Sequence, residues 1–162
     1  MEVSSKMKVN EIQEVYMINQ ELLAPCGLYC GVCGIYCASE SNDQPLKEKL
    51  AKAYGDTPDK IKCKGCLSSS AYWYCVVCGI KSCVIEKGYV GCHQCDSFPC
   101  NKIENFPVPE GKKNILRAIP RWKELGTEAF IKAEEKLFSC DNCGTQLFRG
   151  AKKCRQCSTL KG

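Results

Sequence analysis

CVVCGIKSCVIEKGYVGCHQCDSFPC, residues 75–100, gives six of its twenty-six positions to cysteine, and they fall in a repeat. Cys75, Cys78 and Cys83 share the spacing C-x2-C-x4-C with Cys92, Cys95 and Cys100, seventeen residues further on. A C-x2-C pair can wrap one tetrahedral ion, so each half supplies three thiolates and is one short of a closed site. Cys63 and Cys66, in KCKGC just upstream, bring residues 63–100 to eight thiols, enough for two closed sites. Pairing Cys63/Cys66 with Cys92/Cys95, and Cys75/Cys78 with Cys83/Cys100, uses all eight; spacing permits several other pairings. Aliphatic residues are sparse here, and burial alone does not offset ordering costs of ~1–2 kcal/mol per residue. Metal is expected to supply the difference, at about 10–16 kcal/mol per structural zinc.

Downstream lies a second constellation, CDNCGTQLFRGAKKCRQC, with Cys140/Cys143 and Cys154/Cys157 as two knuckles joined by ten residues. Four thiols at this spacing predict a short zinc ribbon; iron in the same ligand set is the chemical alternative. Gly144 fits a positive-φ turn, and the connection is long enough for a small hairpin. Arg149, Lys152, Lys153, Arg155 and Lys161 face a lone acid, Asp141, in this tail. That excess could meet phosphate, or could balance an anionic metal-thiolate centre.

Upstream, CGLYCGVCGIYC places Cys26, Cys30, Cys33 and Cys37 at i, i+4, i+7 and i+11. On one continuous helix that spread is about 16 Å at 1.5 Å per residue. Ligands of one zinc lie within ~4 Å of each other, so four thiols on one helix cannot share an ion. Either Pro25-Cys26-Gly27 forms a loop that folds Cys26 back, or the thiols divide between centres and the core. Cys26, Cys30 and Cys33 also match the C-x3-C-x2-C that holds an open iron-sulfur cluster in radical enzymes. The remaining chain is too short and too interrupted by cysteine for their large barrel, and Val32 stands where an aromatic residue usually precedes the last cysteine.

Sixteen cysteines in 162 residues demand either disulfides or metal. The N-terminus lacks the basic start, apolar stretch and cleavage site of a secretory signal, and no window spans a bilayer. A soluble, cytoplasmic protein with reduced thiols is therefore expected, with zinc as the metal and no membrane partner. The formal charge of +5 is no argument for a polyanion partner. Sixteen thiolates around four Zn²⁺ would take it to about −3, each Zn(Cys)₄ carrying −2.

Helix signals flank the thiols. Val9, Ile12, Tyr16 and Met17 make a weak amphipathic pattern within residues 1–23. In DQPLKEKLAKAYGD, Leu46, Leu50, Ala53 and Tyr54 form a stripe, with Pro45 at the start and Gly55 at the stop. Residues 107–138 predict two helices parted at Gly126-Thr127. Ile115, Ile119 and Trp122 lie on one face of the first, which Pro120 should kink or shorten; Phe130, Ala133 and Leu137 lie on the second. The segments are then 1–23, a cysteine-rich domain 24–106, a helical connector 107–138 and a ribbon 139–162. The fold class is a small irregular α+β protein stabilised by metal.

Taken in order, CGLYCGVC, IKCKGCLS and CVVCGIKSCVIEKGYVGCHQCDSFPCNKI resemble the cysteine-rich family known as domain of unknown function 3795, over roughly residues 24–106. The resemblance implies a metal-binding domain without an established activity. Its pattern falls on Cys26, Cys30, Cys33, Cys63, Cys66, Cys75, Cys78, Cys83, Cys92, Cys95 and Cys100, and leaves Cys37 outside, as an apolar packing residue. Eleven is not a multiple of four, so one centre is incomplete, shared, completed by another group, or a cluster.

Three functions fit these residues. The first is a binding or adaptor module for a protein partner, organised by three or four zinc ions. The second is an iron-sulfur redox or radical-type enzyme using Cys26, Cys30 and Cys33, with one cluster plus zinc. The third is nucleic-acid binding through the ribbon. No Ser/His/Asp set, HExxH string or phosphate-cradling loop is present, which favours a non-enzymatic role. The lone histidine, His93, is read as a solvent-facing knuckle residue, and Tyr72, Trp73 and Tyr74 as core filler with a possible role in stacking on a partner.

Overall fold

The computed structural model describes residues 20–162, so the weak helix signal around Val9 to Met17 lies outside the described residues. Seven α-helices lie among the described residues: α1 (Gly34–Glu40), α2 (Gln44–Tyr54), α3 (Trp73–Val76), α4 (Gly79–Glu86), α5 (Asn101–Glu104), α6 (Pro109–Leu125) and α7 (Thr127–Leu137). Single 3₁₀ turns at Cys30–Val32 and Cys92–Gln94 carry two of the knuckles. The strand content expected from sequence is not there. Among the described residues, β pairing is confined to isolated antiparallel bridges, Leu23 with Tyr29, Ser139 with Gln146 and Lys153 with Leu160. Knuckles close on themselves within six or seven residues and leave no length for a ladder.

α2 forms as its sequence predicts. Asp43 accepts from the Leu46 N–H at 3.0 Å, Pro45 occupies the first turn, and Gly55 ends the helix at φ 67°. Its buried face is Leu46, Lys47 and Ala51, with Leu50 half-buried, whereas Ala53 and Tyr54 point outward. Lys47 lies inside because its Nζ donates to Asn42 Oδ1 at 2.7 Å while its stem packs.

The segment expected as a connector supplies the main core. Ile115, Ala118, Ile119 and Trp122 of α6 and Phe130 and Ile131 of α7 join Leu22, Leu23, Val32, Ile80, Val84 and Ile103 in one cluster. Burial therefore supplies part of what was expected from metal alone. α6 runs unshortened through Pro120, which sits on the exposed face, where a missing N–H is least costly. The inner face of α7 is Phe130, Ile131 and Glu134; Leu137 is exposed. Glu134 can be buried because Arg117 on α6 grips both its oxygens, at 2.6 and 2.9 Å.

A second cluster joins Ile35 and Ala38 of α1 to Leu46 and Ala51 of α2, Ile61 and Tyr72. The third lies in the ribbon, where Leu147 packs on Cys140 and Cys154. No helix among the described residues is long and apolar enough to cross a membrane.

Candidate metal centres

The ribbon brings its four thiols together as its spacing predicts. Ligating atoms of Cys140, Cys143, Cys154 and Cys157 all lie within 4.8 Å of one another, with Sγ–Sγ distances of 3.5 Å for Cys140–Cys157 and 3.6 Å for Cys143–Cys154. A tetrahedron of bonds near 2.3 Å needs edges of about 3.8 Å, so these residues fit one thiophilic ion. The expected hairpin between the pairs is replaced by two matching knuckles. Gly144 N–H donates to Cys140 O at 2.8 Å and Cys140 N–H to Thr145 O at 2.9 Å; Ser158 N–H donates to Cys154 O at 3.0 Å and Cys154 N–H to Thr159 O at 2.8 Å. Gly144 and Ser158 both take positive φ, 72° and 61°. Thr145 Oγ1 lies 3.1 Å from Cys143 Sγ and Thr159 Oγ1 3.2 Å from Cys157 Sγ. CDNCGT and CRQCST are thus one motif written twice, a signal legible at a spacing of fourteen residues that the thiol count passed over.

Residues 26–37 resolve in favour of the loop. Ala24 N–H donates to Leu28 O at 3.1 Å and Gly27 N–H to Ala24 O at 2.8 Å, folding Cys26 away from the helix that begins at Gly34. Gly27 is required: φ is +87°, and a Cβ there would sit 2.8 Å from Ile119 Cδ1. The loop is tied to the next knuckle, since Cys92 N–H donates to Pro25 O at 2.8 Å.

Cys30 meets the thiols of the following segment. Cys66 N–H donates to Cys30 Sγ at 3.4 Å, Gly65 N–H donates to Cys63 Sγ at 3.3 Å, and the Cys66 and Cys75 thiols are hydrogen-bonded. Cys33 and Cys63 lie in the electrostatic field of Cys30. Cys63/Cys66 therefore sit with Cys30, Cys33 and Cys75, and not with Cys92/Cys95 as in the cross-braced pairing. Cys26 stands between groups, in the field of Cys78 and Cys92. Cys83, Cys92, Cys95 and Cys100 line a common cavity of about 40 Å³. Cys37 is half-buried outside these groups and donates to Gly31 O at 3.4 Å.

A second repeat underlies this arrangement. Cys30–Ile35 and Cys75–Ile80 are both C-x-V-C-G-I. In each, the second cysteine, Cys33 or Cys78, stands at the N-cap of a helix, α1 or α4, and the isoleucine two residues on is buried.

Thiol acidity varies within each region, and in the ribbon Cys140 is raised to about 11. Burial pushes Cys26 and Cys92 up to about 12, and Cys30 also upward. In the ribbon, hydrogen bonds from Asn142 and Thr159 pull Cys157 down to about 5, and the Cys157 backbone N–H lowers Cys154. Cys66 is raised by sharing its proton with Cys75, which is lowered by the same bond and by Lys81. Lys81 Nζ donates to Cys66 O at 2.9 Å.

Three ribbon cations are engaged within the protein. Arg149 N–H donates to Val32 O at 2.6 Å and its Nη2 to Tyr29 O at 3.0 Å, while its guanidinium lies over Phe138. Arg155 pairs with Asp43 and Lys161 with Asp141. His93 does not face solvent freely as expected: its ring stacks on Trp122 at 3.8 Å between centroids, which the isolated knuckle sequence could not reveal. Tyr72 is buried as core, but Trp73 is 52% exposed, against the expectation of core filler.

No curated protein and no solved structure gives a significant match to this chain. The family described as "Protein of unknown function (DUF3795)" matches residues 22–105, the stretch that carries every thiol of the two inner groups, and the chain belongs to that family.

Proposed function

We propose that this chain is a binding module whose recognition surface is held in place by three zinc-thiolate centres, one in the ribbon and two within residues 26–100. The observation that carries the reading is an apolar groove built on a cysteine knuckle. Trp73, Val76 and Val77 are all more than half exposed beside Cys75 and Cys78. Trp73 and Val77, with Tyr74, Phe106 and Pro107, border a groove of about 370 Å³. Monomeric proteins rarely leave large apolar side chains clustered at the surface without a use for them, and aromatic residues enrich binding sites. In this reading the partner is a protein with an apolar anchor residue.

Metal analysis of protein purified without oxygen tests the scaffold: colourless protein with three zinc ions supports it. The groove is tested by Trp73→Ala, which should keep the wild-type Tm and weaken retention of the partner that the wild-type chain retains. Undiminished retention removes the groove from the account.

A second reading, an iron-sulfur centre in place of one zinc, is favoured by a single observation. Among the described residues, only the ribbon's thiols lie close enough together as placed to hold an ion, so the thiols of residues 26–100 are spread more widely. A brown protein with acid-labile sulfide would establish it. Nucleic-acid binding through the ribbon is the weaker reading, because the side chains of Arg149, Arg155 and Lys161 are engaged within the protein, which leaves the exposed Lys152 and Lys153 of the five cations outside such contacts.

A further inference from the structure

The cavity lined by Cys83, Cys92, Cys95 and Cys100 carries an inference about ligand partition that the spacing of the thiols does not. These four come from three separate pieces of chain. Cys83 lies in the last turns of α4, Cys92 and Cys95 form the 3₁₀ knuckle, and Cys100 is the N-cap of α5. The knuckle is closed by Cys95 N–H donating to Cys92 O at 3.0 Å, and Phe98 N–H donating to Cys95 O at 3.3 Å turns the chain so that Cys100 returns to the same space.

The walls between the thiols are largely apolar, with Ile80, Val84, Phe98 and Ile103 among them. At about 40 Å³ the space exceeds the 10–15 Å³ that one water needs, but a buried water also needs two to four strong polar partners, which thiols do not provide. Thiolates do provide what a soft cation needs. Two cations stand at the cavity, Lys87 and Lys102, and Lys87 Nζ donates to Cys95 Sγ at 3.6 Å. A four-thiolate centre holding a divalent ion carries −2, and two lysines match it.

We infer that Cys83, Cys92, Cys95 and Cys100, whose sulfurs stand farther apart here than those of the ribbon, draw in around one thiophilic metal centre as its complete ligand set, with Lys87 and Lys102 as its counter-charges. This rests on the reading that residues 26–100 hold metal, and it goes further by assigning which thiols act together. It divides the C-x2-C-x4-C repeat unequally: all of the second copy serves this centre, but only Cys83 of the first. Cys75 belongs with Cys30 and Cys66.

Cadmium-113 NMR on the full, reduced chain loaded with cadmium(II) tests the assignment without mutation. One cadmium resonance should correlate with β-protons of Cys83, Cys92, Cys95 and Cys100 and with no others. A resonance joining Cys83 or Cys100 to Cys75 or Cys78 overturns the partition while leaving metal binding by residues 26–100 intact. A single resonance from the ribbon alone overturns both. As a second measurement, native mass spectrometry of the zinc-loaded chain should show Cys83→Ser and Cys100→Ser each losing one ion, and the double variant also losing only one. Two ions lost by the double variant would place the thiols in separate centres. If iron and sulfide replace zinc and vanish in those same variants, the ligand set stands with a cluster as its occupant.

Discussion

The ribbon and the domain before it use the same side chain under opposite conditions. Ribbon thiols lie within 4.8 Å of one another, Cys140 and Cys154 buried and Cys143 exposed; Cys154 and Cys157 are lowered by local hydrogen bonds while Cys140 is raised, so part of the site is ionised before an ion arrives. Cys26, Cys30 and Cys92 are held up by burial, and their sulfurs spread over several chain segments. A buried thiol resists ionisation until a cation compensates it, so metal entry and thiol ionisation are one event at Cys26, Cys30 and Cys92 but can be separate steps at Cys154 and Cys157.

The largest expected effect lies in thiol reactivity. In metal-free, reduced protein at pH 7, Cys157 should alkylate at least about a hundredfold faster than Cys26 or Cys92, because the thiolate is the nucleophile. Mass spectrometric mapping of labelled peptides reads the ratio directly. Equal rates would break the comparison.

Stability of the metal-free chain should depend on pH with opposite signs in the two regions. Cys26 and Cys92 ionise later in the folded than in the unfolded chain, so above the ordinary thiol value of ~8.5 the unfolded state has lost protons that the folded state keeps. Their contribution is complete below that value and is lost as pH rises towards about 12. Cys157 ionises earlier when folded, so its contribution is present above ~8.5 and is lost as pH falls through about 5. Denaturation followed at Trp122 for the domain and by amide exchange for the ribbon separates the two slopes.

Packing around the domain's knuckle is a third point of contrast. Gly91 has extended backbone, but a Cβ there would lie 2.3 Å from Trp122 Cζ3. Gly91→Ala should destabilise the domain by about 1–3 kcal/mol, seen as a lower Tm, and leave the ribbon's metal affinity unchanged. The smallest effect is within the ribbon. Ser158 holds the left-handed position that Gly144 occupies in the other knuckle. Ser158→Gly should stabilise the ribbon by about 1 kcal/mol, measured as slower loss of metal to a chelator.

Local features were the legible ones. Asp43, Pro45 and Gly55 bound α2 in sequence as in structure, the buried face of α6 follows from Ile115, Ile119 and Trp122, and the ribbon's four thiols follow from two C-x2-C pairs. What escaped depends on partners distant in the chain. Glu134 is inside only because Arg117 is opposite it, and His93 turns inward only because Trp122 offers a ring to stack on. The grouping of Cys30 with Cys66 and Cys75 crosses tens of residues, and thiols are chemically identical, so spacing could not sort them. The α+β class and the ribbon's small hairpin called for strands; among the described residues only isolated bridges form, because the knuckles' hydrogen bonds close too soon for a sheet.

Metal content of the Cys140→Ser/Cys154→Ser double variant tests most directly whether the domain folds around centres of its own. With the ribbon disabled, the account predicts two ions retained per chain and an unchanged thermal transition for the core around Trp122. A chain that carries no metal at all, yet keeps that transition, would contradict it.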